Sequence, residues 1–81
     1  MNNPHDYYQT DIRLDHDGSF YDLTVEVNRR TDEYEVLDVR EVWYDPEIND
    51  WDEATTDMSG DEFDGGEIMD RILWKRKYPD N

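Results

Sequence analysis

Hydrophobic and polar residues alternate over most of the first half of the chain, and the alternation predicts strands. From Tyr8 to Leu14, Tyr8, Thr10, Ile12 and Leu14 fall on one face while Gln9, Asp11 and Arg13 fall on the other, the period-2 pattern of a strand buried on one side. Tyr21, Leu23, Val25 and Val27 repeat it. Between the runs lies Asp15-His16-Asp17-Gly18-Ser19. An Asp-Gly pair flanked by alternating runs predicts a hairpin, because Gly accepts a positive φ without steric cost. This reading puts His16 in the turn and Asp11, Asp22 and Glu26 on the outer, polar face of the hairpin. A polar turn over residues 28–33 leads to a third run, residues 34–44. There Leu37, Val39 and Trp43 share one parity and Tyr34, Val36, Val42 and Tyr44 the other, which predicts a β-bulge or a central strand covered on both faces.

Asp45-Pro46 ends the third strand, since Pro cannot donate to a ladder. The next eighteen residues show neither period, and residues 45–63 read as a long acidic loop. Ser59-Gly60-Asp61-Glu62 and Asp64-Gly65-Gly66-Glu67 both have the spacing of a capping box. The tandem Gly65-Gly66 would cost about 1 kcal/mol each in a helix interior, so the predicted helix starts at Asp64. Ile68, Met69, Ile72 and Leu73 form a stripe that can lie on a sheet. Lys75, Arg76 and Lys77 stand where the helix dipole favours cations, and Pro79 ends the helix. The expected fold class is α+β: a three-stranded antiparallel β-meander, a long acidic loop and one C-terminal helix packed on the sheet. Residues 1–81 read as one small acidic domain, with 1–7 flexible and 78–81 a tail.

Composition tests whether such a domain can fold. Leu, Ile, Val and Phe make up 15 of 81 residues, which with high net charge falls in the range of disordered chains. Six Tyr and three Trp tip the balance toward a folded state, since each large ring can bury ~150–250 Å². The chain lacks cysteine, so neither a disulfide nor a thiolate metal site is available. No apolar run approaches ~18 residues, and the polar start MNNPHDYYQ is unlike a secretory signal; the reading is a cytoplasmic protein away from membranes. A compact domain of this length is expected to have a radius of gyration near ~12 Å and a breadth of roughly 30 Å.

Charge changes the picture most. Asp and Glu number 23 against eight Lys and Arg, a net of −15. Residues 1–70 hold 22 acids and four Arg, whereas residues 71–81 carry a net of +3. The stretch from Glu41 to Asp64 has ten acids, Glu41, Asp45, Glu47, Asp50, Asp52, Glu53, Asp57, Asp61, Glu62 and Asp64, and no basic residue. A duplex carries ~18 phosphate charges over roughly 30 Å, comparable with this chain in charge and size.

Other chemistries find little support. The only histidines are His5 and His16, so a nucleophile with a His base has few candidates, and a core this small offers no concave site that would split the pKa values of a carboxylate pair. Starting an EF-hand at Asp15 puts Phe20 where Gly is needed; starting at Asp45 puts Thr56 in place of the bidentate Glu. No cofactor, no metal and no enzymatic activity are expected. Direct nucleic-acid binding is opposed by the charge of the body. The Trp74-Lys75-Arg76-Lys77-Tyr78 tail reads as a helix C-terminus that collects cations more readily than as a stacking platform.

A binding role is favoured by rings set among these acids. Tyr44, Ile48 and Trp51 stand beside Asp45, Glu47, Asp50, Asp52 and Glu53, and exposed aromatics are typical interface anchors; alternatively Trp51 folds back onto the sheet. The expected partner-binding residues are Glu41, Tyr44, Asp45, Glu47, Asp50, Trp51, Asp52, Glu53, Asp57, Asp61, Glu62 and Asp64. In size, charge, lack of cysteine and this acidic-aromatic stretch the chain resembles the small acidic nucleic-acid mimics by which phages block host nucleases and defence systems, the anti-restriction and anti-CRISPR type. The resemblance implies a non-enzymatic inhibitor in the host-cell cytoplasm; the sequence leaves monomer and dimer open. Its partner would be a basic nucleic-acid-binding protein or complex, such as a host nuclease or CRISPR effector, whose DNA or RNA groove it blocks. Two other readings fit the same composition: a halophile-adapted domain, given 15 Asp against 8 Glu and two Lys against six Arg, and an acidic scaffold or assembly protein docking on a basic protein partner.

Overall fold

A computed structural model describes residues 6–78. Four strands, β1 (Tyr7–His16), β2 (Ser19–Asn28), β3 (Tyr34–Asp45) and β4 (Asp50–Thr55), form one antiparallel sheet in sequence order. A 3₁₀ turn over Gly60–Glu62 and a helix, α1 (Gly65–Lys77), follow. The class is α+β with an antiparallel sheet and one C-terminal helix, as the pattern predicts. The count of three strands is corrected to four, because β4 lies inside the segment read as a loop. Residues 1–5 of the segment read as flexible and 79–81 of the tail lie outside the described residues, whereas Tyr7 already pairs with Asn28.

The β1–β2 turn is the two-residue Asp17-Gly18, with φ of 51° and 82°; both central residues of a type I′ turn need positive φ, which matches the strand twist. His16 is therefore not in the turn. It closes the ladder opposite Ser19, and its ring packs 5.0 Å from that of Phe63. The mixed parity of β3 comes mainly from the predicted bulge. Asp38 faces Thr24 while Val36 faces Val25, so Leu37 is the extra residue of a bulge that brings Val36 and Val39 to the same face. Further along, Val42 points to the opposite face and is buried as well, at 4 % exposure.

The core lies between one sheet face and α1. Ile12 and Leu14 of β1, Leu23, Val25 and Val27 of β2, and Val39 of β3 pack with Phe63, Ile68 and Ile72. The predicted helix stripe narrows to Ile68 and Ile72, since Leu73 is 44 % exposed. The Ser59 capping box closes fully and the Asp64 box in half, without the return bond from Glu67. Ser59 accepts from Asp61 N at 3.2 Å while Glu62 accepts from Ser59 N at 2.9 Å; Asp64 then caps α1 by accepting from Gly66 N at 2.9 Å. Gly60 lets this turn press on the sheet, since a Cβ there would stand 2.6 Å from Val36 Cγ2.

The molecule is longer than a compact 81-residue domain, at 49 × 29 × 20 Å with a radius of gyration of 13.9 Å. Long hairpins are the cause. The last three residues of β3, Trp43 to Asp45, run past the register with β2 and pair with β4 alone. Ile68→Ala and Ile72→Ala are each predicted to lower stability by about 2–5 kcal/mol, against under about 1 kcal/mol for Leu73→Ala. Urea unfolding read by circular dichroism checks the ranking; equal losses at Ile72 and Leu73 would mean that α1 docks by another face.

Candidate functional site

The half of the β3–β4 hairpin beyond Arg40 carries most of the expected site. All six residues of β4 are exposed, so β4 is held by its ladder to β3 and not by burial. The connecting turn uses an Asp45 side chain that accepts from Glu47 N at 2.9 Å, and Asn49 takes φ 53°. Asn is one of the few non-glycine residues that adopt this left-handed conformation readily. The Tyr44 hydroxyl donates to Asn49 Oδ1, tying the strand end to the turn.

Register sorts the side chains onto two faces. Glu41, Asp45, Asp50 and Asp52 lie on the helix side with Trp43, whereas Tyr44, Trp51 and Glu53 lie on the outer side. Glu47 is in the turn. The other four expected residues are elsewhere: Asp57 follows β4, Asp61 and Glu62 are in the 3₁₀ turn, and Asp64 caps α1. The carboxylates of Glu62 and Asp64 are occupied by backbone amides, a structural use.

The free edge of β4 has an unusual hydrogen-bonding character. Thr56 N donates to Val39 O at 3.0 Å, which fixes the alternation of the ladder so that the amides of Trp51 and Glu53 point away from β3. Trp51 N instead donates to Asp50 Oδ1 and Glu53 N to Asp52 Oδ1, both at 2.8 Å. From Asp50 to Ala54 the outward edge thus offers acceptors only: carbonyls and carboxylates. An added strand would need donors as well, so the Asp side chains protect the edge against strand pairing. They leave it receptive to ammonium and guanidinium groups.

The outer sheet face continues the site beyond the hairpin. Trp51 meets Phe20 of β2 with ring centroids 6.3 Å apart and Tyr44 at 5.9 Å, both edge-to-face. The three rings are 45–48 % exposed, so Trp51 does lie on the sheet, on the face away from the helix, and remains half open to water. Arg13 of β1 stacks 5.1 Å over Trp51 and forks onto Asp22 at 2.7 and 3.1 Å. That hydrogen bond raises the Arg13 pKa, keeping it a permanent cation. Arg40 ties all four strands together: it donates to Thr24 Oγ1 at 2.9 Å and stands 3.4 Å from Asp11, 3.3 Å from Asp38 and 3.7 Å from Glu53. The Asp38 contact is an ion pair without hydrogen-bond geometry, since Arg40 Nε has no hydrogen-bond acceptor. Phe20, Arg13 and Asp22 stand outside the expected set: Arg13 and Asp22 were read only as polar-face residues, and the one further signal was Phe20 itself, a large ring at a polar-face position.

Cations collect at the other end. Arg76 pairs with Asp32 and donates to Arg29 O at 3.2 Å, Arg30 lies 3.5 Å from Asp6, and Lys75 reaches Asp11 O at 2.5 Å on the open edge of β1. The basic tail therefore lies against its own body. Asp11, Asp22 and Glu26 lie on the outer face as expected, the same face as Trp51 and Glu53. Among the described residues no group of three or more His, Asp or Glu is placed to hold a metal ion, and no helix is long and apolar enough to cross a membrane.

No protein-family model, curated protein or solved structure matches the chain. The edge geometry has a consequence of its own. Replacing Asp50 and Asp52 together by Ala is predicted to speed amide exchange at Trp51 and Glu53 several-fold, while replacement by Asn, which keeps the Oδ1 acceptor, leaves it near the original rate. Hydrogen exchange followed by NMR reads this; identical exchange in the Ala and Asn variants would mean that the caps do not persist in solution.

Proposed function

We propose that this chain is a non-enzymatic acidic inhibitor that occupies a basic nucleic-acid groove of a nuclease or defence complex. The observation that carries the reading is the acceptor-only edge of β4, flanked by acids and rings on both faces of a hairpin that reaches past the rest of the sheet. A nucleic-acid backbone likewise presents acceptors and negative charge, with flat rings beside them. Fifteen net charges over a 49 Å long axis amount to about one per 3 Å, close to the ~3.4 Å spacing of phosphates along one strand. Attraction between such a field and a basic groove speeds encounter, toward ~10⁸ M⁻¹s⁻¹ at low salt, while desolvated rings set the lifetime of the complex.

A halophilic domain is the second reading, and one observation favours it. Glu26 faces Glu35 and Asp45 faces Asp50 across the ladder; like charges directly opposite destabilise a sheet, and concentrated salt would relieve them. Docking as an acidic scaffold remains distinct from inhibition because it leaves the partner's groove free.

The immobilised chain is expected to retain a nucleic-acid-binding protein from host lysate and to release it when that protein's own DNA or RNA is added. Retention should fall steeply between about 0.05 and 0.5 M salt, as the Debye length shrinks below ~10 Å. Changing Asp50, Asp52 and Glu53 together to Lys should slow association at least tenfold, and Trp51→Ala should mainly speed dissociation. A ternary complex in which the partner holds its nucleic acid with undiminished affinity would replace inhibition by scaffolding.

A further inference from the structure

We propose that the corner between Trp51 and Asp22 on the uncovered sheet face is a receptor for an arginine of the partner, and that Arg13 fills it in the free protein. This rests on the inhibitor reading above and specifies the chemistry its partner presents. The corner combines two elements that recognise a planar guanidinium together: an aromatic face, 5.1 Å from Arg13 Cζ, and a carboxylate that takes Nε and a terminal nitrogen at 2.7 and 3.1 Å. A lysine ammonium matches neither element as well, because it is a point charge without a plane or a fork.

The surroundings select the occupant. Phe20, Tyr44 and Trp51 form a contiguous apolar patch, larger than the scattered exposed rings that need no partner. In register around it stand Asp15 opposite Phe20, Asp22 opposite Arg13, and Glu53 opposite Val42. A phosphate-bearing partner, whether nucleic acid or lipid headgroup, would meet these carboxylates, whereas a basic protein segment complements them. Of the two cations on this face, Arg40 has a side chain only 20 % exposed and is bound among four partners; the Arg13 side chain is 48 % exposed. Arg13 can therefore swing into water and surrender both the ring and the fork, and the contacts it leaves are the ones an incoming arginine makes.

The test compares two blocked peptides, (Gly-Arg)₄ and (Gly-Lys)₄, titrated into the isotopically labelled chain at low salt and followed by NMR at the backbone amides of Asp22 and Glu53, which every variant below retains. The quantity read is the ratio of the two affinities, which cancels the general attraction of cations to a polyanion. The ratio is expected to be about two- to threefold in favour of arginine for the unaltered chain and about tenfold in Arg13→Ala, where the corner is vacant. Arg13→Lys, which keeps the charge and the stem, should raise the ratio similarly and covers the case in which the Ala variant misfolds. Adding Trp51→Ala to Arg13→Lys should return the ratio to about one. An unchanged ratio in both Arg13 variants would overturn the receptor and leave the polyanion reading standing. Failure of both peptides to bind at all would contradict the inhibitor reading itself.

Discussion

Packing of α1 across one face of the sheet supplies the apolar contact on which the other features depend, because nowhere else among the described residues is a connected set of side chains removed from water. Nine residues form that core, and they must hold together a molecule carrying 23 carboxylates. With so little apolar material, only one face of the sheet can be covered. The other face has to be stabilised by cross-strand pairs, and it is: Arg40 links four strands, and the rings around Trp51 accompany the single buried Val42.

The same limit explains the projecting hairpin. A thirteen-residue helix covers the parts of β1 and β2 that carry the apolar positions and leaves β4 bare on both faces. An exposed edge strand is ordinarily an aggregation hazard, and here the two edges are protected differently. On β1, Lys75 at the end of α1 takes up Asp11 O. On β4 the carboxylates of Asp50 and Asp52 mask the outward donors. Protection against strand pairing and the acceptor-only character of the edge thus come from the same two side chains. Six of the eight cations lie on the β2–β3 turn and α1, where several hold neighbouring groups, so the β3–β4 tip keeps its acids nearly uncompensated.

How much of this could be read beforehand follows from what each signal measures. Alternation reports burial on one side, so β1, β2 and the bulged β3 were legible from Ile12, Leu23 and Val39 and their neighbours, and the caps at Ser59 and Asp64 were legible from their spacing. In β4 nothing is buried. Asp50 to Thr55 therefore carry no period, and the strand exists because β3 offers it a ladder. Glu41 to Glu53 lie on one hairpin, although Asp45 to Glu53 were read as loop, and Glu62 and Asp64, read both as caps and as partner-binding residues, have oxygens that serve backbone amides. Phe20, Asp22 and Arg13 were missed because they come from strands whose polar face looked like ordinary solvated surface; only the register brings them beside Trp51.

The central claim is that the negative field serves recognition and is tolerated by the fold at ordinary ionic strength. Far-UV circular dichroism between ~0.15 M and molar salt tests it most directly, since screening of self-repulsion is what a salt-dependent domain requires. The account predicts a β-rich spectrum already complete at ~0.15 M salt and little changed above it. A coil spectrum at that ionic strength, becoming β-rich only in molar salt, would contradict it and make the acids an adaptation to brine.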